Sequence, residues 1–168
     1  MFTLLLIGCG ALLGITVAAT RARIDENHAR RFIELARELS GTQDALPAIR
    51  WQSDLWPLCN GQALVRGSAD GYGGPVRYLL AVDLPATTPD HQAHLHGLRV
   101  IEHQETPGLA DFIDRPDAPW MRALRGRSAA DLAGVDTVSG ATITSRALLR
   151  AITADLGRPA LETLKCGA

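Results

Sequence analysis

The chain has 168 residues, 46% of them hydrophobic, enough for one membrane or targeting segment and one domain of ordinary size. Its 17 basic and 18 acidic residues leave a net charge of −1, which offers no basic field for nucleic acid, and aromatics at 5% are too sparse for a base-stacking platform. The three cysteines, Cys9, Cys59 and Cys166, lack the paired spacing of a zinc or iron–sulfur ligand set; whether Cys59 and Cys166 pair stays open.

Residues 1–20 carry no charged side chain and, at about 1.5 Å per residue, reach roughly 30 Å as a helix. A transmembrane anchor and an uncleaved signal peptide both fit. The missing basic n-region favours the anchor, while the small residues 17–20 favour the signal. Gly10 and Gly14 have the spacing that lets helices approach closely. Residues 21–46 follow as a juxtamembrane helix and linker. Asp25 to Leu39 places Ala29, Phe32, Ile33, Ala36 and Leu39 on one face, with Gly41 beyond its end.

From residue 47 a separate domain is predicted, running to residue 168. Trp51 and Trp56, among turn residues, read as core packing. At Gln62 the apolar period changes to two. A strand over 63–69, a glycine-rich turn over 70–74, a strand over 75–83 and a third over 95–103 follow. Their short connections require antiparallel pairing. His91, His94 and His96 lack the spacing of a structural zinc site and read as loop histidines. His103-Gln104-Glu105-Thr106-Pro107-Gly108-Leu109-Ala110 forms a tight polar turn that exposes backbone N–H groups. Residues 111–127 predict irregular helical turns, and residues 128–132 a short element.

The most informative stretch is Asp136-Thr137-Val138-Ser139-Gly140-Ala141-Thr142-Ile143-Thr144-Ser145, followed by a helix with Ala147, Leu148, Ala151, Ile152 and Leu156 on one face. Thr144 or Ser145 is the expected N-cap. Hydroxyls and free N–H groups at a helix start suit a phosphate, although an ordinary capped turn has the same composition.

Three stretches together resemble one family. Asp136 with Ser139-Gly140-Ala141-Thr142, Glu105-Thr106-Pro107-Gly108-Leu109, and Asp70-Gly71-Tyr72 with Gly74 are similar to the FMN-binding domain of the G subunit of the Rnf electron-transport complex (RnfG, RsxG). The C subunit of the sodium-pumping NADH:quinone reductase carries a similar motif. Ala110 departs from the family's glycine at that place.

The resemblance implies an α+β fold, an antiparallel sheet with packed helices preceded by one N-terminal transmembrane helix. It implies FMN joined through its phosphate to Thr142. Tyr72, Glu105, Thr106, Gly108, Leu109, Ser139, Gly140, Ala141 and Thr144 are then the cofactor-binding candidates. Asp136 would serve a flavin transferase, either by positioning the motif or by helping to activate the hydroxyl. No nicotinamide fingerprint, hydrolase triad or metal site is present in the sequence. The expected role is therefore electron carriage between subunits of a membrane-bound ion-translocating complex, rather than stand-alone catalysis.

Charge and resemblance disagree on orientation. Arg21, Arg23, Arg30 and Arg31 all follow the apolar run, which by charge places the domain in the cytoplasm. The resemblance implies a single pass through the bacterial inner membrane with the domain on the periplasmic side, and a basic segment ahead of Met1 would reconcile the two. Alternatives are a C-type quinone-reductase subunit, a regulatory flavin-domain membrane protein, or a membrane-anchored scaffold with a vestigial site.

Overall fold

Alternation of apolar residues draws strands 62–102 into one meander. The structure, a computed structural model, describes residues 2–41 and 53–164. Its sheet has the order β1-β2-β3-β4 and is antiparallel throughout. The strands are β1 (Leu55–Pro57), β2 (Gln62–Asp70), β3 (Pro75–Asp83) and β4 (His94–Glu102). β1 was not expected from the sequence, where its three residues lie between prolines and turn formers. Trp56 on it is buried, as predicted; Trp51 lies outside the described residues.

Six α-helices are described: α1 (Phe2–Ser40), α2 (Asp111–Asp114), α3 (Pro119–Leu124), α4 (Ala129–Leu132), α5 (Thr142–Leu156) and α6 (Ala160–Thr163). The irregular turns predicted after residue 111 are α2 and α3. The element predicted at 128–132 is α4, started by a capping box in which Ser128 and Asp131 satisfy each other's backbone N–H.

Each face of the sheet is covered. Ala63, Val65 and Ala69 of β2 and Val76, Tyr78, Leu80 and Val82 of β3 share a core with Leu148, Leu149, Ile152 and Leu156 of α5. Period two in the strands and period 3.6 in the helix put those residues on facing surfaces. On the other face, the last turns of α1 bring Leu39 over Gly97, and Arg99 pairs with Glu38 at 2.5 Å.

The chain divides into two compact units, Met1–Glu34 and Leu35–Ala168. The anchor expected over residues 1–20 and the helix expected over 25–39 belong to one continuous element, α1. Among the described residues, no helix is long and apolar enough to cross a membrane. A Cβ at Gly10 or Gly14 would meet nothing within 4 Å, so nothing among the described residues packs on that spacing. Cys59 is disulfide-bonded; Cys166 lies outside the described residues.

Of the histidines read as loop residues, His91 lies in the loop before β4, whereas His94 and His96 stand on β4, where period two puts them on one face, and pair locally. His94 Nδ1 donates to the Gly126 carbonyl at 2.9 Å, and Nε2 donates to the Asp90 carboxylate at 2.9 Å. Donation from both nitrogens requires the imidazolium. The bond to Asp90 raises the His94 pKa, with the Gly126 carbonyl and the Asp90 and Asp131 charges acting in the same direction against burial. His96 lies 3.2 Å from Asp83.

A raised folded-state pKa means that folding takes up a proton. The stabilisation is therefore full below the ordinary histidine value of about 6.5 and is lost as pH rises through the folded value. The stability gap between wild type and His94→Gln should be largest near about pH 5.5 and shrink by about pH 9. Urea midpoints across that range check it; a gap independent of pH counts against the imidazolium.

Candidate functional site

The start of α5 organises the site. Gly140 at φ +81° takes a left-handed conformation that favours glycine, and turns the chain so that Ala141 becomes the N-cap and Thr142 the first helical residue. The first intrahelical bond is Ser145 N–H to the Ala141 carbonyl, at 2.9 Å. The N–H groups of residues 142–144 therefore lack partners within the helix, and they carry the positive end of its dipole.

The expectation that Thr144 or Ser145 caps this helix is overturned. The helix begins earlier, and its period carries Thr144 and Ser145 onto the buried face with Leu148 and Leu149. Ser145 Oγ accepts from Val138 N–H at 3.0 Å and donates to the Ala141 carbonyl at 2.9 Å, bracing the motif from inside. Thr144 Oγ1 accepts from Tyr72 N–H at 3.1 Å. Thr142, by contrast, is exposed, and its hydroxyl makes a 3.5 Å contact to the Val138 carbonyl, at the limit of bonding distance.

A cleft of about 410 Å³ opens at this helix start, within the usual size range of small-molecule sites. Tyr72, Glu105, Thr106, Leu109, Gly140, Ala141, Thr142 and Thr144 line it, as does Ile143, which the sequence did not single out. Residues from three separated stretches thus meet on one cavity. Of the lining residues, Tyr72, Leu109 and Ile143 are 74%, 52% and 58% exposed, an apolar rim that suits a planar aromatic ligand. Among the described residues no arginine or lysine lines the cleft, and the helix start is the positive group that an anion bound there would meet.

The other candidates fall elsewhere. Gly108 and Ser139 line a neighbouring cleft of about 370 Å³ on the far side of Leu109, with Phe112, Arg115 and Trp120. Asp136 lines neither cleft. It is exposed, and its carbonyl accepts from Trp120 Nε1 at 2.9 Å.

The turn at 106–110 is closed by Leu109 and Ala110 N–H donating to the Thr106 carbonyl. Ala110 has φ −88° and is 1% exposed, so alanine sits there without backbone strain and its methyl joins the core.

Glu105 has a backbone task that the sequence did not reveal. Its Oε1 accepts from Gly73 N–H at 3.1 Å. A Cβ at Gly73 would lie 2.2 Å from the Gln104 carbonyl oxygen, so the two loops touch at backbone distance. Behind Glu105, its own N–H donates to His103 Nδ1 at 3.2 Å, and His103 Nε2 donates to Asp114 at 2.6 Å. Only the folded contacts identify His103 and Asp114 as supports; no spacing in the sequence marks them.

Residues 71–156 match the FMN-binding domain family, an interval that opens in the glycine turn beside the cleft and closes at the last residue of α5. The G subunit of the ion-translocating oxidoreductase complex of Pseudomonas aeruginosa (strain UCBPP-PA14) is 30% identical over 186 residues, covering 88% of this chain and 83% of that protein. The protein of the same name from Aliivibrio fischeri (strain MJ11) is 32% identical over 123 residues, 67% of this chain and 54% of its own length. Among solved structures, NqrC of Shewanella oneidensis is similar over 61% of this chain and 54% of that chain, with 27% identity and a TM-score of 0.46.

Proposed function

The chain belongs to the FMN-binding domain family and is an FMN-binding subunit of an Rnf-type ion-translocating oxidoreductase complex; on that premise we propose that it holds FMN as a phosphoester of Thr142 and carries electrons between neighbouring subunits. The observation that carries this reading is the exposed Thr142 hydroxyl at the start of α5, on a cleft lined by all three stretches.

The residues fit the group. The free N–H groups of residues 142–144 can bind its phosphate oxygens, and the helix dipole offsets their charge. Tyr72, Leu109 and Ile143 offer apolar faces that shield a ring from water. When bound, FMN supplies the electron-carrying isoalloxazine; the protein supplies its attachment, orientation and electrostatic setting.

Attachment is a phosphoryl transfer, which the family assigns to a separate magnesium-dependent transferase using FAD. The Thr142 Oγ1–P bond forms, the pyrophosphate P–O bond of FAD breaks, AMP leaves, and the hydroxyl proton passes to a base of the transferase. Exposure of Thr142 suits it to an external enzyme. Asp136 is likewise exposed and lies outside the cleft, so in this reading it serves the transferase rather than the bound flavin.

In the same reading residues 1–20 attach the chain to the inner membrane, residues 21–46 connect, and residues 47–168 carry the flavin on the periplasmic side. The disulfide at Cys59 supports an oxidising compartment. The test is intact mass and in-gel flavin fluorescence after denaturation, on wild-type protein recovered from the membrane fraction of cells that export the transferase. The expected result is a mass increase of one FMN less water. An unmodified chain, with the transferase active on another substrate, would overturn the covalent reading.

A further inference from the structure

We propose that Thr144 is a positioning residue, which acts with Glu105 to clamp the 71–73 turn against the start of α5 and so sets Tyr72 as one fixed wall of the cleft. Its function in the flavin site rests on the reading above, but the clamp itself belongs to the protein without cofactor.

Two adjacent N–H groups of one turn are captured by side chains from two different elements. Tyr72 N–H donates to Thr144 Oγ1 on α5, and Gly73 N–H donates to Glu105 Oε1 on the loop after β4. Thr144 is 2% exposed, so this acceptor has little competition from water, whereas Tyr72, which lines the cleft, is 74% exposed and has no such burial to hold it. The turn's own closure, Gly71 N–H to the Gly74 carbonyl at 3.0 Å, holds its shape but does not attach it to α5. The hydrogen bond from this turn to α5 is the one to Thr144.

The consequence for the site is that Thr144 Oγ1 and Glu105 Oε1 are already engaged by backbone N–H groups in the protein without cofactor. The cleft is thereby assembled before the flavin arrives. A preformed wall avoids the ordering cost that a loose tyrosine loop would bring to binding. The residue two positions after Thr142 is also locked to the same helical turn, so attachment point and wall move as one body.

Thr144→Val keeps the shape of the side chain and removes the acceptor, and Thr144→Ser keeps the acceptor. In the cofactor-free protein, hydrogen exchange at the Tyr72 amide is expected to speed up about tenfold in Thr144→Val, the equivalent of one lost buried hydrogen bond, and to stay near wild type in Thr144→Ser. In flavin-loaded protein, iodide quenching of the flavin should strengthen in Thr144→Val and in Tyr72→Ala, but not in Thr144→Ser. A merely structural threonine would lower the melting temperature without changing quenching in the folded state.

Unchanged Tyr72 exchange in Thr144→Val, or a Thr144→Ser variant as defective as Thr144→Val, overturns the clamp. If exchange responds as stated but wild-type protein never acquires flavin, the clamp stands and the flavin reading fails.

Discussion

Thr142→Ala, exported with the flavin transferase, should acquire no covalent flavin at all, while its folded stability stays within about 0.5 kcal/mol of wild type. Three threonines line the cleft, Thr106, Thr142 and Thr144. Thr144 is buried and already accepts from Tyr72 N–H, so a transferase has no approach to it. Thr106 is exposed, but it belongs to the turn after β4 and not to the start of α5. Of the three, Thr142 combines exposure with the positive end of a helix.

Thr106→Ala should therefore still be modified, and Thr142→Ser should be modified in part, because it retains an oxygen at the same place. Intact mass reads all three. Flavin on Thr142→Ala would move the attachment point elsewhere, and unequal urea midpoints would show that Thr142 also supports the fold.

A second large effect is expected far from the cleft, at Gly67. This residue pairs with Tyr78 across β2 and β3. A Cβ there would lie 2.3 Å from the Tyr78 ring and 2.4 Å from Asp155 Oδ2, distances that no side-chain carbon tolerates. Tyr78 is fully buried and donates its hydroxyl to Asp155 at 2.8 Å, and Asp155 is also held by Arg158. Burial, and next the bond to Asp155, push the Tyr78 hydroxyl pKa far above its usual range, so it stays a donor at any working pH.

Gly67→Ala cannot be absorbed by moving a flexible chain end. It must displace a ring in the core and strain a buried hydrogen bond that connects the sheet to the C-terminal half of α5. Overpacking costs about 1–3 kcal/mol and loss of a buried hydrogen bond about as much again, giving roughly 2–6 kcal/mol of destabilisation. That is a large share of a typical domain's roughly 5–15 kcal/mol. Chemical denaturation of wild type and variant checks it, and coincident midpoints would show that the core relaxes around the methyl.

Much of this architecture is legible from periodicity. Residues 62–83 alternate with period two and form β2 and β3 within a residue of the predicted bounds, because a strand has only two faces and one must be apolar. α5 is likewise marked by Leu148, Ile152 and Leu156 at helical spacing. β1 escaped, since three residues are too few to show a period. The start of α5 also escaped: hydroxyl-rich composition marks a helix start but not which hydroxyl faces outward.

Motif residues divide in the same manner. Asp70 to Gly74, Glu105 to Leu109 and Ser139 to Thr142 were identifiable as a set through their resemblance to one family; local chemistry marked each by itself only as a turn or a helix start. Their assignment to roles depended on contacts across tens of residues. Helical phase turned Thr144 inward to Tyr72. Close approach of two loops committed Glu105 to Gly73. Leu109 separated Ser139 from the cleft that Thr142 faces, and Trp120 held the Asp136 backbone outside it. Local chemistry is written along the chain, but the direction a side chain points depends on the phase and packing of elements distant in sequence, which appear only once the chain is folded.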